Sequence, residues 1–110
     1  MEKLPLLEKM ELSELSALTE LNEEVLLSLG LKNTFSHPNL YFYHYDFDGI
    51  EIGLGKNYVR IDYWIYPNHI LLWIKYRCPD GSINEIRLHR NKFILNDLYT
   101  SITLILNEKL

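Results

Sequence analysis

The sequence predicts an α+β fold, in which a five-stranded antiparallel meander sheet follows N-terminal helices and precedes a C-terminal helix. Apolar residues recur at helical spacing in the first quarter of the chain, alternate with polar residues between residues 40 and 89, and return to helical spacing after residue 93. The chain has 110 residues, 47% of them hydrophobic and 13% aromatic. This length and composition predict a single domain with one core.

Residues 1–31 are predicted to form the helical N-terminal part. Neither Gly nor Pro occurs between residues 6 and 29, and leucines recur there at helical spacing. Two candidate N-caps, Ser13 and Asn22, indicate a break between two helices, because each precedes glutamates suited to a first helical turn. Gly30 is expected to adopt the left-handed conformation that ends the second helix.

The sheet is predicted to span residues 40–89, after a polar linker that includes Ser36 and His37. Its five strands are separated by four turn signals, which are Asp48-Gly49, Lys56-Asn57, Pro67-Asn68 and the run from Pro79 to Ser82. Connections this short join antiparallel neighbours. The pattern therefore predicts a meander.

Residues 93–107 are predicted to form the C-terminal helix, with Asn96-Asp97 as a candidate cap. The β-branched residues in this segment weaken the helical pattern and leave a sixth strand as the alternative. The helix is favoured because a sheet with one apolar face needs an element laid across it.

Charge is distributed unevenly along the chain. The net charge is −4; residues 1–55 carry ten acids and three bases, whereas residues 56–110 carry five acids and eight bases. This asymmetry predicts one acidic and one mildly basic surface. The sequence has neither an apolar run long enough to span a bilayer nor the features of a signal peptide, and Cys78 is the single cysteine. We therefore expect no membrane association, no internal disulfide and a cytoplasmic location.

No catalytic residue, metal ligand or cofactor is predicted. The four histidines lack the spacing of a helical zinc pair, and Asp46-x-Asp48-Gly49 lacks the remaining ligands of a calcium loop. No phosphate-binding, dinucleotide-binding or nucleophile-elbow motif is present. A small enzyme with an unrecognised pocket remains one alternative, with Cys78 and either His69 or His89 as a conceivable nucleophile and base.

Strand parity points to a candidate binding surface. If Val59, Ile61 and Tyr63 face the helices, the intervening residues and their cross-strand neighbours share the other face. The predicted partner-binding residues on that face are Arg60, Trp64, Trp73, Lys75 and Arg87. Trp and Arg are enriched at interface hot spots. The alternative is that both tryptophans are core residues, covered by the N-terminal helices.

Three segments carry a resemblance to a known group of proteins. They are the capped helix from Leu21 to Leu31, the aromatic hairpin segments Tyr41-Phe42-Tyr43 and Ile50-Glu51-Ile52, and the step Lys92-Phe93-Ile94 into the closing helix. Over residues 18–106 the chain resembles small uncharacterised proteins of Bacteroidetes genomes and their phages or mobile elements; it adds residues 1–17 and the hairpin around Asp80-Gly81. The resemblance implies an accessory protein that binds and blocks another molecule.

The leading functional hypothesis is accordingly a non-enzymatic protein-binding module that acts as an inhibitor, immunity or adaptor protein through the aromatic sheet face or the acidic helices, with a homodimer as one form of such binding. The alternative from another class is single-stranded nucleic-acid binding, with aromatic residues stacking on bases and basic residues holding phosphates. The net charge of −4 favours the protein partner, because phosphate neutralisation dominates the affinity of nucleic-acid binding.

Overall fold

The computed structural model of the chain describes residues 4–37, 40–52, 55–77 and 80–107. Its elements in chain order are α1 (Pro5–Leu12), α2 (Glu23–Ser28), β1 (Lys32–His37), β2 (Leu40–Ile52), β3 (Gly55–Ile65), β4 (Ile70–Arg77), β5 (Ile83–Arg90) and α3 (Leu95–Asn107). The strands form one antiparallel sheet in the order β1-β2-β3-β4-β5. The predicted α+β class, with helices before and after a five-stranded meander, is therefore confirmed.

The first two predicted strands are one long strand. Asp48-Gly49, predicted as a hairpin turn, lies within β2, where the register shifts: Asp48 pairs with Tyr58, and Ile50 with Asn57. Gly within a strand often marks such a bulge, because the extra residue bends the strand. The turn predicted at Lys56-Asn57 is likewise wrong, since both residues belong to β3.

The sheet still has five strands, because the segment predicted as a polar linker forms the first strand, β1. Ser36 and His37 pair with Tyr41 and Leu40 of β2. The sequence of β1 has little apolar alternation, so its conformation depends on pairing at the edge of the sheet, where one side of a strand needs no partner. The sheet consequently begins at Lys32 rather than near residue 40.

The N-terminal part contains two short helices separated by a non-helical segment with one turn. Asn22 caps α2 by accepting a hydrogen bond from the Val25 backbone N–H at 2.9 Å, and Gly30 follows α2 with φ +100°, as predicted. Ser13, however, ends α1 rather than starting a helix: its hydroxyl donates to the Met10 carbonyl.

Residues 13–22 form no helix, and part of their backbone bonds to other elements instead. The carbonyls of Thr19 and Ala17 accept hydrogen bonds from the Leu95 and Asn96 N–H groups, which open α3 and have no partner inside that helix. The Leu21 carbonyl accepts from the hydroxyl of Tyr63 at 3.1 Å. These bonds fasten the segment to α3 and to the sheet.

The helix α3 confirms the helix predicted for the C-terminal segment and excludes the alternative of a sixth strand there. Asp97 lies in its first turn and accepts a hydrogen bond from the Ile94 N–H at 2.8 Å. This bond caps the N-terminus of the helix, because Ile94 directly precedes its first residue. The Arg90 guanidinium also contacts Asp97, at 3.0 Å. None of the described helices is long and apolar enough to cross a membrane.

The core lies between the helices and one face of the sheet. Val59, Ile61 and Tyr63 are fully buried, and their cross-strand neighbours on β4 are buried with them. Helix and segment residues complete this cluster, among them Leu6, Leu26, Phe93, Leu98 and Ile102. The face of β3 predicted to meet the helices therefore does so.

Candidate functional site

The sheet has a second face, directed away from the core cluster, which we call the open face. On strands β2 to β5, alternation and register assign it the side chains of Phe42, His44, Asp46, Tyr58, Arg60, Asp62, Trp64, Leu71, Trp73, Lys75, Arg77, Ile83, Glu85, Arg87 and His89. All five predicted partner-binding residues are among them. Trp64 and Trp73 are half-buried, and neither belongs to the described core cluster or to the side chains packed against it.

Register aligns the open face into rows that run across the strands. The Trp64 row is Phe42, Trp64, Leu71 and His89. The Trp73 row is His44, Asp62, Trp73 and Arg87. The Lys75 row is Asp46, Arg60, Lys75 and Glu85. Each row takes one residue from each of β2 to β5.

Aromatic rings stack on one another along the Trp64 row and beyond its end. The rings of Phe42 and Trp64 are nearly parallel, with centroids 4.0 Å apart. Tyr66 and His69 stack at 4.5 Å, and the ring of His69 lies 5.8 Å from that of His89. These contacts between rings turn one end of the open face into a continuous aromatic surface.

Two cations cover Trp73 in the next row. The Lys75 ammonium lies 3.7 Å from the indole ring centre and the Arg87 guanidinium carbon 4.2 Å from it, both within cation–π range. The indole N–H donates to Glu85 at 3.2 Å, and Arg87 approaches that carboxylate at 3.6 Å. The three predicted binding residues on β4 and β5 thus form one charged aromatic cluster.

Arg60, the remaining predicted residue, belongs to an ionic cluster on β2 and β3. Its Nε donates to both oxygens of Asp62, at 3.0 and 3.3 Å, and its Nη1 lies 3.8 Å from Asp46. Asp62 is only 3% exposed, whereas the Arg60 side chain is 36% exposed. Burial raises the pKa of Asp62 above its usual value, although the guanidinium acts to lower it.

Asp46 connects this cluster to two more side chains, His44 and Tyr58. The His44 imidazole lies 3.4 Å from one Asp46 oxygen, and the hydroxyl of Tyr58 donates to the other. Burial raises the pKa of Tyr58, and the nearby Asp46 carboxylate raises it further. The sequence-based site omitted Asp46 because its position opposite Arg60 depends on the single long strand β2, which the pattern divides in two.

Two cavities are present among the described residues. A cavity of about 180 Å³ lies between α1, residues 15–17 and α3, lined by Met10, Glu11, Leu15, Ala17, Leu95, Asn96 and Tyr99. Another, of about 140 Å³, is lined by Gly30, Lys32, His44, Tyr45 and Asp46, so it adjoins the open face at His44 and Asp46. Within the described ranges no group of three or more His, Cys, Asp or Glu is placed to hold a metal ion. The thiol of Cys78 lies outside those ranges.

Comparison of the chain with protein families, curated proteins and solved structures found no match.

Proposed function

We propose that this chain is a non-enzymatic protein-binding module and that the open face is its contact surface. The observation that carries the proposal is the position of Trp64 and Trp73, which are half-buried on the sheet face opposite the helices and lie outside the described core. Large aromatic side chains flanked by arginines are the residues that dominate binding energy at protein interfaces.

The chemistry of this face favours a protein over single-stranded nucleic acid. Base stacking requires a free ring face, but Trp64 stacks on Phe42 and Trp73 is covered by Lys75 and Arg87. Phosphate binding requires available cations, yet Arg60 and Arg87 already contact carboxylates of the same chain. A protein surface with its own alternating charges can add to such pairs without displacing them.

The resemblance to small proteins of Bacteroidetes genomes and their phages or mobile elements supports the role of an accessory protein. An accessory protein of this type acts in the cytoplasm as an inhibitor, immunity or adaptor protein, and a homodimer is one form that its binding takes. The partner expected from the open face is a folded protein with a flat, mixed-charge surface, because stacked rings and paired charges form a broad surface rather than a cleft.

Site-specific photo-crosslinking in cells that carry the gene tests this function. A photoreactive benzoylphenylalanine replaces Arg87 on the open face or, as the matched control, Leu104 on α3; the two side chains are similarly exposed. We expect a crosslinked protein from position 87 that is absent from position 104. Crosslinks to nucleic acid at position 87 would instead support the alternative, and equal products at both positions would contradict the proposal.

A further inference from the structure

The Trp73 row and the Lys75 row are complementary to each other along every strand that they cross. The pairs two residues apart are His44 with Asp46 on β2, Asp62 with Arg60 on β3, Trp73 with Lys75 on β4, and Arg87 with Glu85 on β5. Every pair joins an acceptor or an aromatic ring to a cation or, at His44, to an imidazole. One row placed on the other would therefore bring together attractive partners on β2, β4 and β5, whereas Asp62 on β3 is buried and stays paired with Arg60 of its own chain.

We propose that the protein partner of the open face is a second copy of this chain. The two copies are related by a two-fold axis that lies between the two packed sheets, crosses the strands at right angles and runs between these two rows. The inference rests on the proposed function and names its partner. Under this symmetry each strand crosses its own copy, so Arg87 faces Glu85 of the partner subunit and Lys75 faces Trp73 of the partner subunit. Each contact occurs twice, as in any isologous dimer.

The charge pattern selects this axis over the other orientation of two sheets packed face to face. A two-fold axis that runs parallel to the strands, midway between β3 and β4, would lay the Lys75 row on itself. Asp46 would then lie against Glu85, and Arg60 against Lys75. Like charges placed together in this way oppose association. The perpendicular axis avoids both repulsions, and sheets commonly pack with their strand directions within about 30° of each other.

The outer rows of the two open faces would also form favourable contacts in this arrangement. The Trp64 row of one copy meets the next row of the other, which contains Tyr58, Arg77 and Ile83. Trp64 then lies over Tyr58, and His89 over Ile83, an aliphatic side chain that is 62% exposed in the single chain. The described open-face residues include four cations and three carboxylates, so two copies carry little net charge into the interface.

Charge-swap rescue tests the arrangement. Glu85→Arg leaves two cations at positions 85 and 87, and Arg87→Glu leaves two carboxylates; each variant therefore repels itself across the proposed axis. The two variants together should attract, since cations of one copy meet carboxylates of the other. Both side chains are nearly half exposed, so each variant should still fold, which circular dichroism checks.

We expect the wild type to sediment as a dimer at about 100 µM, each variant to bind itself at least about tenfold more weakly, and an equimolar mixture to recover most of the lost affinity as a heterodimer. Native mass spectrometry identifies the heterodimer. A folded mixture that stays monomeric, or an E85R variant that self-associates more tightly, would overturn the inference. So would a monomeric wild type, while the crosslinking experiment would still test whether the face binds another protein.

Edge-to-edge pairing of β5 about Ile86 would also bring position 85 opposite position 87, so a second variant separates the two arrangements. Trp64 is two strands away from that edge. Trp64→Ala should weaken a face-to-face dimer at least about tenfold, because the contact between Trp64 of one copy and Tyr58 of the other is lost from both halves. An unchanged dimer in Trp64→Ala would mean that the chains pair through β5 and that this inference is wrong.

Discussion

Arg60 and Asp62 lie two residues apart on β3, and the arginine Nε donates to both oxygens of a carboxylate that is almost completely buried. Their side chains point to the same face because successive strand residues alternate. Burial nevertheless raises the pKa of Asp62, so one guanidinium does not fully replace the water that the carboxylate loses on folding.

Asp62→Asn should therefore leave the free energy of unfolding within about 1 kcal/mol of the wild-type value at pH 7, or increase it. Because the folded-state pKa is raised, the folded wild type binds a proton at a higher pH than the unfolded chain does. Wild-type stability should then rise relative to Asp62→Asn as the pH falls through the raised pKa toward about 3.9. Urea titrations at several pH values measure the difference.

Arg60→Gln is the contrasting variant, since it keeps the carboxylate and removes its cation. It should destabilise the fold at pH 7 by about 1–3 kcal/mol, because a buried charged group loses its partner. Its stability should recover as the pH falls and Asp62 is protonated. If Arg60→Gln and Asp62→Asn showed the same pH dependence, the account of this pair would be contradicted.

Gly30 and Gly81 should both resist replacement by alanine, for a reason that does not involve packing. Their φ angles are +100° and +89°, a region that side chains with a Cβ rarely adopt. A Cβ at Gly30 would meet only the flexible end of Lys9 at 3.3 Å, and one at Gly81 would meet no atom within 4 Å. Each Gly→Ala change should cost about 1 kcal/mol by thermal unfolding, and Gly→Asn less. Unequal costs at the two positions would indicate that contacts of the added Cβ, not the φ angle, determine the loss of stability.

Tyr63→Phe should destabilise the protein by about 1–2 kcal/mol, because the Leu21 carbonyl loses the hydroxyl that ties residues 13–22 to the sheet. Burial raises the pKa of Tyr63, so this hydroxyl remains a donor through the neutral range. Tyr99→Phe is the matched control: its hydroxyl contacts Glu11 at 3.4 Å on the surface, and its loss should cost less than about 0.5 kcal/mol. Equal losses of unfolding free energy in urea titrations would mean that the buried hydrogen bond of Tyr63 stabilises the protein no more than the surface contact of Tyr99 does.

The faces of β3 and β4 could be predicted from sequence because their pattern is unambiguous. Val59, Ile61 and Tyr63 alternate with polar or amphipathic residues, and burial of that set forces Arg60 and Trp64 to the other side. The sharing of one face by the five predicted binding residues followed from the same parity. Their alignment into rows did not, because register depends on where each strand turns.

The first strands could not be predicted for a different physical reason. An Asp-Gly pair suits a tight turn, but a Gly inside a strand also suits a bulge, and the local sequence at Gly49 is compatible with both. Pairing with β3 decides between them, and this is a long-range property. The strand β1 likewise takes its conformation from β2 rather than from its own polar residues.

Trp64→Ala and Tyr63→Ala, at adjacent positions of β3, should separate the open face from the core. Tyr63 is fully buried beneath the helices, and its truncation should cost about 3–5 kcal/mol and leave little folded protein. Trp64 is half-buried and stacks on Phe42, so its truncation should cost only about 1–2 kcal/mol in a monomer. The double variant Trp64→Ala with Trp73→Ala should therefore still melt cooperatively, measured by circular dichroism at a concentration where wild type and variant are both monomeric. An unfolded double variant would mean that the tryptophans support the fold, and the proposed contact surface would then lose its main argument.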